Sequence, residues 1–221
     1  AGNLGSAVAQ AFGARGASLV LVDVSREGLE AAHGAESERR LLVPADLVDQ
    51  AAVDAMVAAA LARFGRIDVL CNIAGGFAMG SAVHETDDAT WESLFAINVR
   101  TLLRTARAVV PVMIDAGGGR IVNVGAFAAQ KGVARMGAYV ASKSVVIRLT
   151  ETMSAELREQ GINVNCVLPT IIDTPQNRAA MPDADPSRWV SPREIAAAVV
   201  FLSSDDARAI HGAALPLTGL V

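Results

Sequence analysis

Short runs rich in β-branched residues alternate with longer alanine-rich stretches along the whole chain. The runs Ser18–Asp23, Arg40–Ala45, Ile67–Asn72, Arg120–Val124, Ile162–Leu168 and Ala213–Leu217 have the length and make-up of strands. Between them, Gln50–Phe64, Trp91–Ile114, Ala138–Gln160 and Pro192–Leu202 carry apolar residues at helical spacing. Strands alternating with helices of this length predict βαβ crossovers, because parallel neighbours need a long covering connection. The expected fold is α/β: one domain over 1–221, a doubly wound parallel sheet with helices on both faces. The stretch Ala1-Gly2-Asn3-Leu4-Gly5 reads as part of a glycine-rich turn opening a helix over Ser6–Gly13. Such a turn follows a strand, so a further strand is expected ahead of it, about ten residues upstream, making seven in all.

Composition narrows the partners. A hydrophobic content of 52% with 4% aromatics describes a core of Ala, Val, Leu and Ile, which suits a helix-covered parallel sheet. A net charge of -4 leaves no basic stripe for nucleic acid. No apolar run reaches the roughly 18 residues of a membrane span. Cys71 and Cys166 fall in separate strand-like runs, so free thiols and a cytoplasmic location are expected. His33, His84 and His211 are scattered without metal-ligand or nucleophile–base spacing, and the charges from Glu36 to Arg40 read as a solvated connection.

Several turns fit a dinucleotide. Glycine at a strand-to-helix turn admits a pyrophosphate to the backbone, and the helix N-terminus supplies oriented N–H groups. Gly2, Asn3 and Leu4 stand there, although an ordinary turn has the same make-up. Asp23 closes the next strand, where a carboxylate accepts from both adenosine ribose hydroxyls and repels a 2′-phosphate. This favours NAD(H) over NADP(H). Arg26 nearby argues mildly the other way, and Asp23 as a helix cap is the plainer alternative. Asp46 and Leu47 follow the third expected strand at the place for adenine, or simply begin a helix. Asn72, Ala74 and Gly75 follow the fourth expected strand, small enough for adenosine to lie against backbone.

The most specific motif is Tyr139-Val140-Ala141-Ser142-Lys143, which holds the only tyrosine and one of two lysines in the chain. Four residues are about one helical turn, so both side chains share a face. An ammonium beside a phenol favours phenolate and draws its pKa down, which makes Tyr139 an acid/base candidate. With these residues the chain resembles the short-chain dehydrogenase/reductase family, with its Rossmann fold, over essentially its whole length. The resemblance implies that Asn98 supports Lys143 through water. It also implies that the segment containing Pro169, Ile172 and Thr174 contacts the nicotinamide, and that the protein is a homodimer or homotetramer. Thr170 stands where the family usually has glycine.

A second departure falls on the reaction centre: Ala126 occupies the place of a serine that polarises the substrate carbonyl. Loss of such a donor costs about 10²–10³ in rate. Alanine there, with the stretches Leu70–Ala78 and Asp173–Asp185, resembles quinonoid dihydropteridine reductases, whose substrate is already strongly electrophilic. Ala126, Phe77, Met181 and Trp189 are the substrate-pocket candidates, with a lid around 171–191, though aromatic and methionine side chains there, Met79 included, also serve as latches. The expected activity is hydride transfer between a nicotinamide and a small carbonyl, alcohol or dihydropterin-like molecule. The rival expectation is a catalytically quiet NAD(H) sensor.

Overall fold

The computed structural model describes all 221 residues. Six strands are present: β1 (Leu19–Asp23), β2 (Arg40–Pro44), β3 (Val69–Asn72), β4 (Gly119–Val124), β5 (Ile162–Pro169) and β6 (Ala214–Leu217). The helices are α1 (Asn3–Gly13), α2 (Arg26–His33), α3 (Gln50–Phe64), α4 (Asp88–Phe95), α5 (Thr101–Asp115), α6 (Gly137–Leu157), α7 (Pro175–Ala180) and α8 (Pro192–Leu202). Every strand pair is parallel, as the alternation of strands and helices predicts.

β4 and β5 show why the sheet is covered twice. Successive side chains of a strand point to opposite faces. Ile121, Ile162, Val164, Cys166 and Leu168 enter one core, with Val53 and Met56 of α3, Val109 and Met113 of α5, and Val146 of α6. Val122, Val124 and Val167 enter a second core with Val8 of α1 and Ile195 and Val199 of α8. All eight residues of β5 are buried. Side chains such as Ile162 and Val164 each contribute roughly 1.5–3 kcal/mol by leaving water.

The ladder is not continuous. β1 pairs with β2, β3 to β6 form a second sheet, and β1 and β3 do not bond to each other. A cavity of about 570 Å3 lies between them, lined by Leu19 to Val22, Val69 to Asn72 and residues of α1, α3 and α5.

Periodicity missed three helical features. α2 is short and polar, stabilised by Ser25, whose Oγ accepts from the Gly28 amide at 3.0 Å. The stretch expected as one helix from Trp91 to Ile114 is α4, a π-helical turn over Ala96–Arg100, and α5. The third is α7 within the 171–191 segment.

Candidate active site

Parallel strands bring their carboxyl ends to one edge, and ligands of doubly wound sheets bind outside that edge. Asp23, Asn72 to Gly76, Val124 to Ala126 and Pro169 to Thr174 all leave strands there. Helix α6 starts beside this edge, with Tyr139 and Lys143 in its first turns. Lys143 is only 5% exposed, and its Nζ donates to the Val124 carbonyl at the end of β4, 2.9 Å away. Ser144 Oγ donates to the Ala129 carbonyl at 2.8 Å, which ties α6 to the turn carrying Ala126.

Asn98 sits in the middle of the π-helical turn, a form that recurs at functional sites because it displaces one residue from the helical repeat. Its Oδ1 accepts from the Gly76 amide at 2.9 Å, and its Nδ2 donates to the Gly76 carbonyl at 3.1 Å and to Ser142 Oγ at 2.9 Å. Ser142 Oγ in turn donates to the Tyr139 carbonyl at 2.8 Å. Asn98 and Tyr139 are thereby linked through a residue not expected from sequence, although its place in the Tyr–Lys turn was the available signal. Gly75 closes the arrangement: a Cβ there would lie 2.9 Å from Lys143 Nζ and 3.0 Å from Asn98 Oδ1.

Burial governs the titrations. The Tyr139 phenol is pushed up to about 12 because its anion would lose water. The Lys143 ammonium is brought down to about 8 by the same loss, partly opposed by the neighbouring Cys166 thiol. This differs from the expectation that Lys143 draws the phenol down. Desolvation alone sets the phenol, and Lys143 directs its ammonium at a backbone carbonyl. Cys166 and Cys71, both free, are raised by burial to about 11 and about 12.

The dinucleotide candidates divide by side-chain role. Gly2 precedes α1 with extended backbone and gives no side-chain cap, so the first N–H groups of that helix are free for an anion. Asn3 reaches across to Gln176 of α7 at 2.8 Å, and Leu4 is partly buried against the second core. Asp23 ends β1, and its carboxylate accepts from the Val24 amide at 2.8 Å. Arg26 is tied to Glu30 at 2.8 Å and Glu36 at 2.9 Å, so Glu36 is engaged rather than merely solvated. Asp46 accepts from the Val48 amide and stays exposed, and Leu47 packs on the larger core.

Asn72 turns its amide inward, donating to Asn123 at 2.9 Å and accepting from Thr105 at 2.7 Å, which leaves only its backbone for a ligand. Ala74 and Gly75 are exposed just beyond it. Pro169 ends β5, Ile172 bridges to Val190 at the root of the 171–191 segment, and Thr174 caps α7.

Ala126 is buried and presents no polar group. Phe77, 59% exposed, meets the Tyr139 ring in a T-shaped contact with centroids 4.9 Å apart. Met181 is partly buried at the end of α7, whereas Trp189 is 7% exposed and has the burial of a latch rather than of a pocket wall. Met79 is exposed. The chain holds no cluster of potential metal ligands, and no helix is long and apolar enough to cross a membrane.

Comparison with known proteins agrees with this geometry. A family model described as enoyl-(acyl carrier protein) reductase matches residues 1–219. D-threitol dehydrogenase of Mycolicibacterium smegmatis is 36% identical over 231 residues, covering 99% of this chain and 88% of the relative. Levodione reductase of Leifsonia aquatica is 34% identical over 237 residues, covering 98% and 89%. Among solved structures, a levodione reductase superposes with a TM-score of 0.90 at 34% identity, covering 98% of this chain and 92% of that one. NAD+-bound xylitol dehydrogenase does so with 0.89 at 29% identity, covering 99% and 94%. The narrower likeness to dihydropteridine reductases is not shown by these relatives, which are other dehydrogenases and reductases. The chain is an oxidoreductase and belongs to the short-chain dehydrogenase/reductase family, whose cofactors are nicotinamide dinucleotides.

Proposed function

We propose that this enzyme is NAD(H)-dependent and reduces a small, strongly electrophilic carbonyl or quinonoid-dihydropterin-like substrate, or oxidises the corresponding alcohol. The observation that carries the reading is the pair Tyr139 and Lys143, one turn apart at the carboxyl edge of the sheet, the lysine buried and the tyrosine partly so. Tyr139 is the acid/base, Lys143 its cationic neighbour and ribose ligand, and Asn98 the group that orders this corner. The cofactor supplies the hydride. The chain supplies the proton: a phenol held protonated to about pH 12 is a donor at neutral pH, which suits reduction.

The residues present fit a dinucleotide. The uncapped start of α1 suits its pyrophosphate, with Asp23, Asp46, Leu47, Ala74 and Gly75 along the adenosine half. Pro169, Ile172 and Thr174 stand along the nicotinamide half. NAD(H) is supported by the Asp23 carboxylate together with Arg26, whose guanidinium is spent on Glu30 and Glu36 and is not free for a 2′-phosphate. Substrate electrophilicity is supported by Ala126, because Tyr139 is then left without the hydroxyl partner that polarises ordinary ketones. The segment 171–191 is the lid, with Met181 facing substrate.

A homodimer or homotetramer is supported by Trp91, Leu103 and Ile114, which α4 and α5 leave exposed. A cytoplasmic location is supported by the two unpaired cysteines. The test is NADH and NADPH oxidation with a quinonoid dihydropterin and a panel of ketones. Turnover with NADH, fastest on the most electrophilic substrate, is expected. Preference for NADPH, or equal rates on unactivated ketones, contradicts the reading, and tight NADH binding with no turnover turns it toward a sensor.

A further inference from the structure

Beyond β3 the segment Phe77–Ser81 belongs to no helix or strand. Behind it lies a hollow of about 400 Å3, with Ala89, Leu94 and Ile97 on its far wall. The hydrogen bonds of residues 77–81 are two, both between Gly80 and Arg135. The Gly80 amide donates to the Arg135 carbonyl at 2.8 Å, and Arg135 Nη1 donates to the Gly80 carbonyl at 2.9 Å. Arg135 is also the one non-glycine residue at positive φ, 62°. That conformation crowds the Cβ of an L residue, and strain of this kind persists where the surroundings require it. Glycine would relieve the strain but would supply no guanidinium. At the other end of the segment, the largely exposed Phe77 ring meets Tyr139 in a T-shaped contact, with an interplanar angle of 80°.

We propose that Arg135 is a specificity-determining positioning residue, clamping Phe77–Ser81 so that Phe77 forms an aromatic wall beside Tyr139 that selects ring substrates over open-chain ones. A cyclic or fused-ring substrate offers a broad face to such a wall, and a small open-chain ketone covers little of it. The inference rests on Tyr139 being the acid/base.

The experiment compares wild type with Arg135→Gly, Phe77→Ala and Arg135→Lys, using trifluoroacetophenone and 1,1,1-trifluoroacetone, both activated ketones, as ring and open-chain probes. KM for the ring ketone rises about three- to tenfold in the first two variants. In Arg135→Gly, kcat and KM for the open-chain ketone stay within about twofold of wild type, because that substrate covers little of the Phe77 ring. Arg135→Lys keeps a donor and behaves as wild type, and the thermal midpoint of Arg135→Gly does not fall. An unchanged KM, or an equal rise for both probes, overturns the proposal.

Tyr139 is the only tyrosine, so its absorbance titration reads the clamp without turnover. Unclamping Phe77 uncovers the phenol, and its ionisation moves from about 12 toward 10 in both variants, with Lys143 unaltered four residues on. An unchanged titration overturns the clamp. A shifted titration in a protein inactive on every substrate overturns the reading of Tyr139 instead and leaves the clamp standing.

Discussion

Lys143 is buried at a stability cost that replacing it with methionine should remove. Burial brings its ammonium from 10.5 to about 8. At about 1.4 kcal/mol for each factor of ten, this gap amounts to roughly 3 kcal/mol. The sign follows from proton counts. Below pH 8 the folded and unfolded chains both carry the proton, and the folded state bears the whole penalty. Between about 8 and 10.5 the unfolded chain binds more protons, so stability rises with pH until the penalty is gone. Methionine fills similar volume without a charge. It forfeits the bond to the Val124 carbonyl, worth about 1 kcal/mol. Without nucleotide, Lys143→Met is therefore expected to be more stable than wild type by about 2 kcal/mol at pH 7 and about 1 kcal/mol at pH 9. Tyr139 titrates in both proteins and cancels from the difference. Urea unfolding followed by circular dichroism at several pH values measures it. A variant less stable than wild type at pH 7, or an advantage that does not shrink by pH 9, refutes the reasoning.

Other substitutions probe the same corner. Gly75→Ala drives a methyl against Lys143 Nζ and Asn98 Oδ1, and steady-state kinetics should show kcat lower by about tenfold or more with the fold retained; wild-type kcat would show that the corner yields freely. Ala126→Ser restores a donor, and turnover of unactivated ketones should rise about tenfold, short of the full effect of an evolved donor. No gain in the same assay would mean that carbonyl polarisation is not what limits this site. Asp23→Asn removes the charge at the ribose end, and KM for NADH should rise about tenfold while discrimination against NADPH weakens. Unchanged cofactor preference would remove Asp23 from the argument.

The central strands were legible because alternation with helices admits few other arrangements, and all six runs became parallel strands within a residue or two of their expected bounds. The Tyr–Lys pair was legible because its spacing matches one helical turn. The π-helical turn at Asn98 was not, since one displaced residue hardly changes a helical hydrophobic pattern. Asn72 shows a second limit: its position at the carboxyl edge could be inferred, but its bonds to Asn123 and Thr105 arise from elements far apart in sequence. Arg135 is illegible for a similar reason, because nothing in the composition of a loop announces a left-handed arginine. The electrostatics of Tyr139 depended on burial, which a four-residue spacing does not report.

The central claim is that Tyr139 moves the proton, and Tyr139→Phe tests it most directly. The substitution deletes one hydroxyl and keeps the ring that packs against Phe77. NADH binding, followed by fluorescence, should stay within about threefold of wild type, while kcat should fall by about 10²–10⁴ on every substrate that wild type reduces. Unimpaired turnover by a variant that still binds NADH would contradict the account.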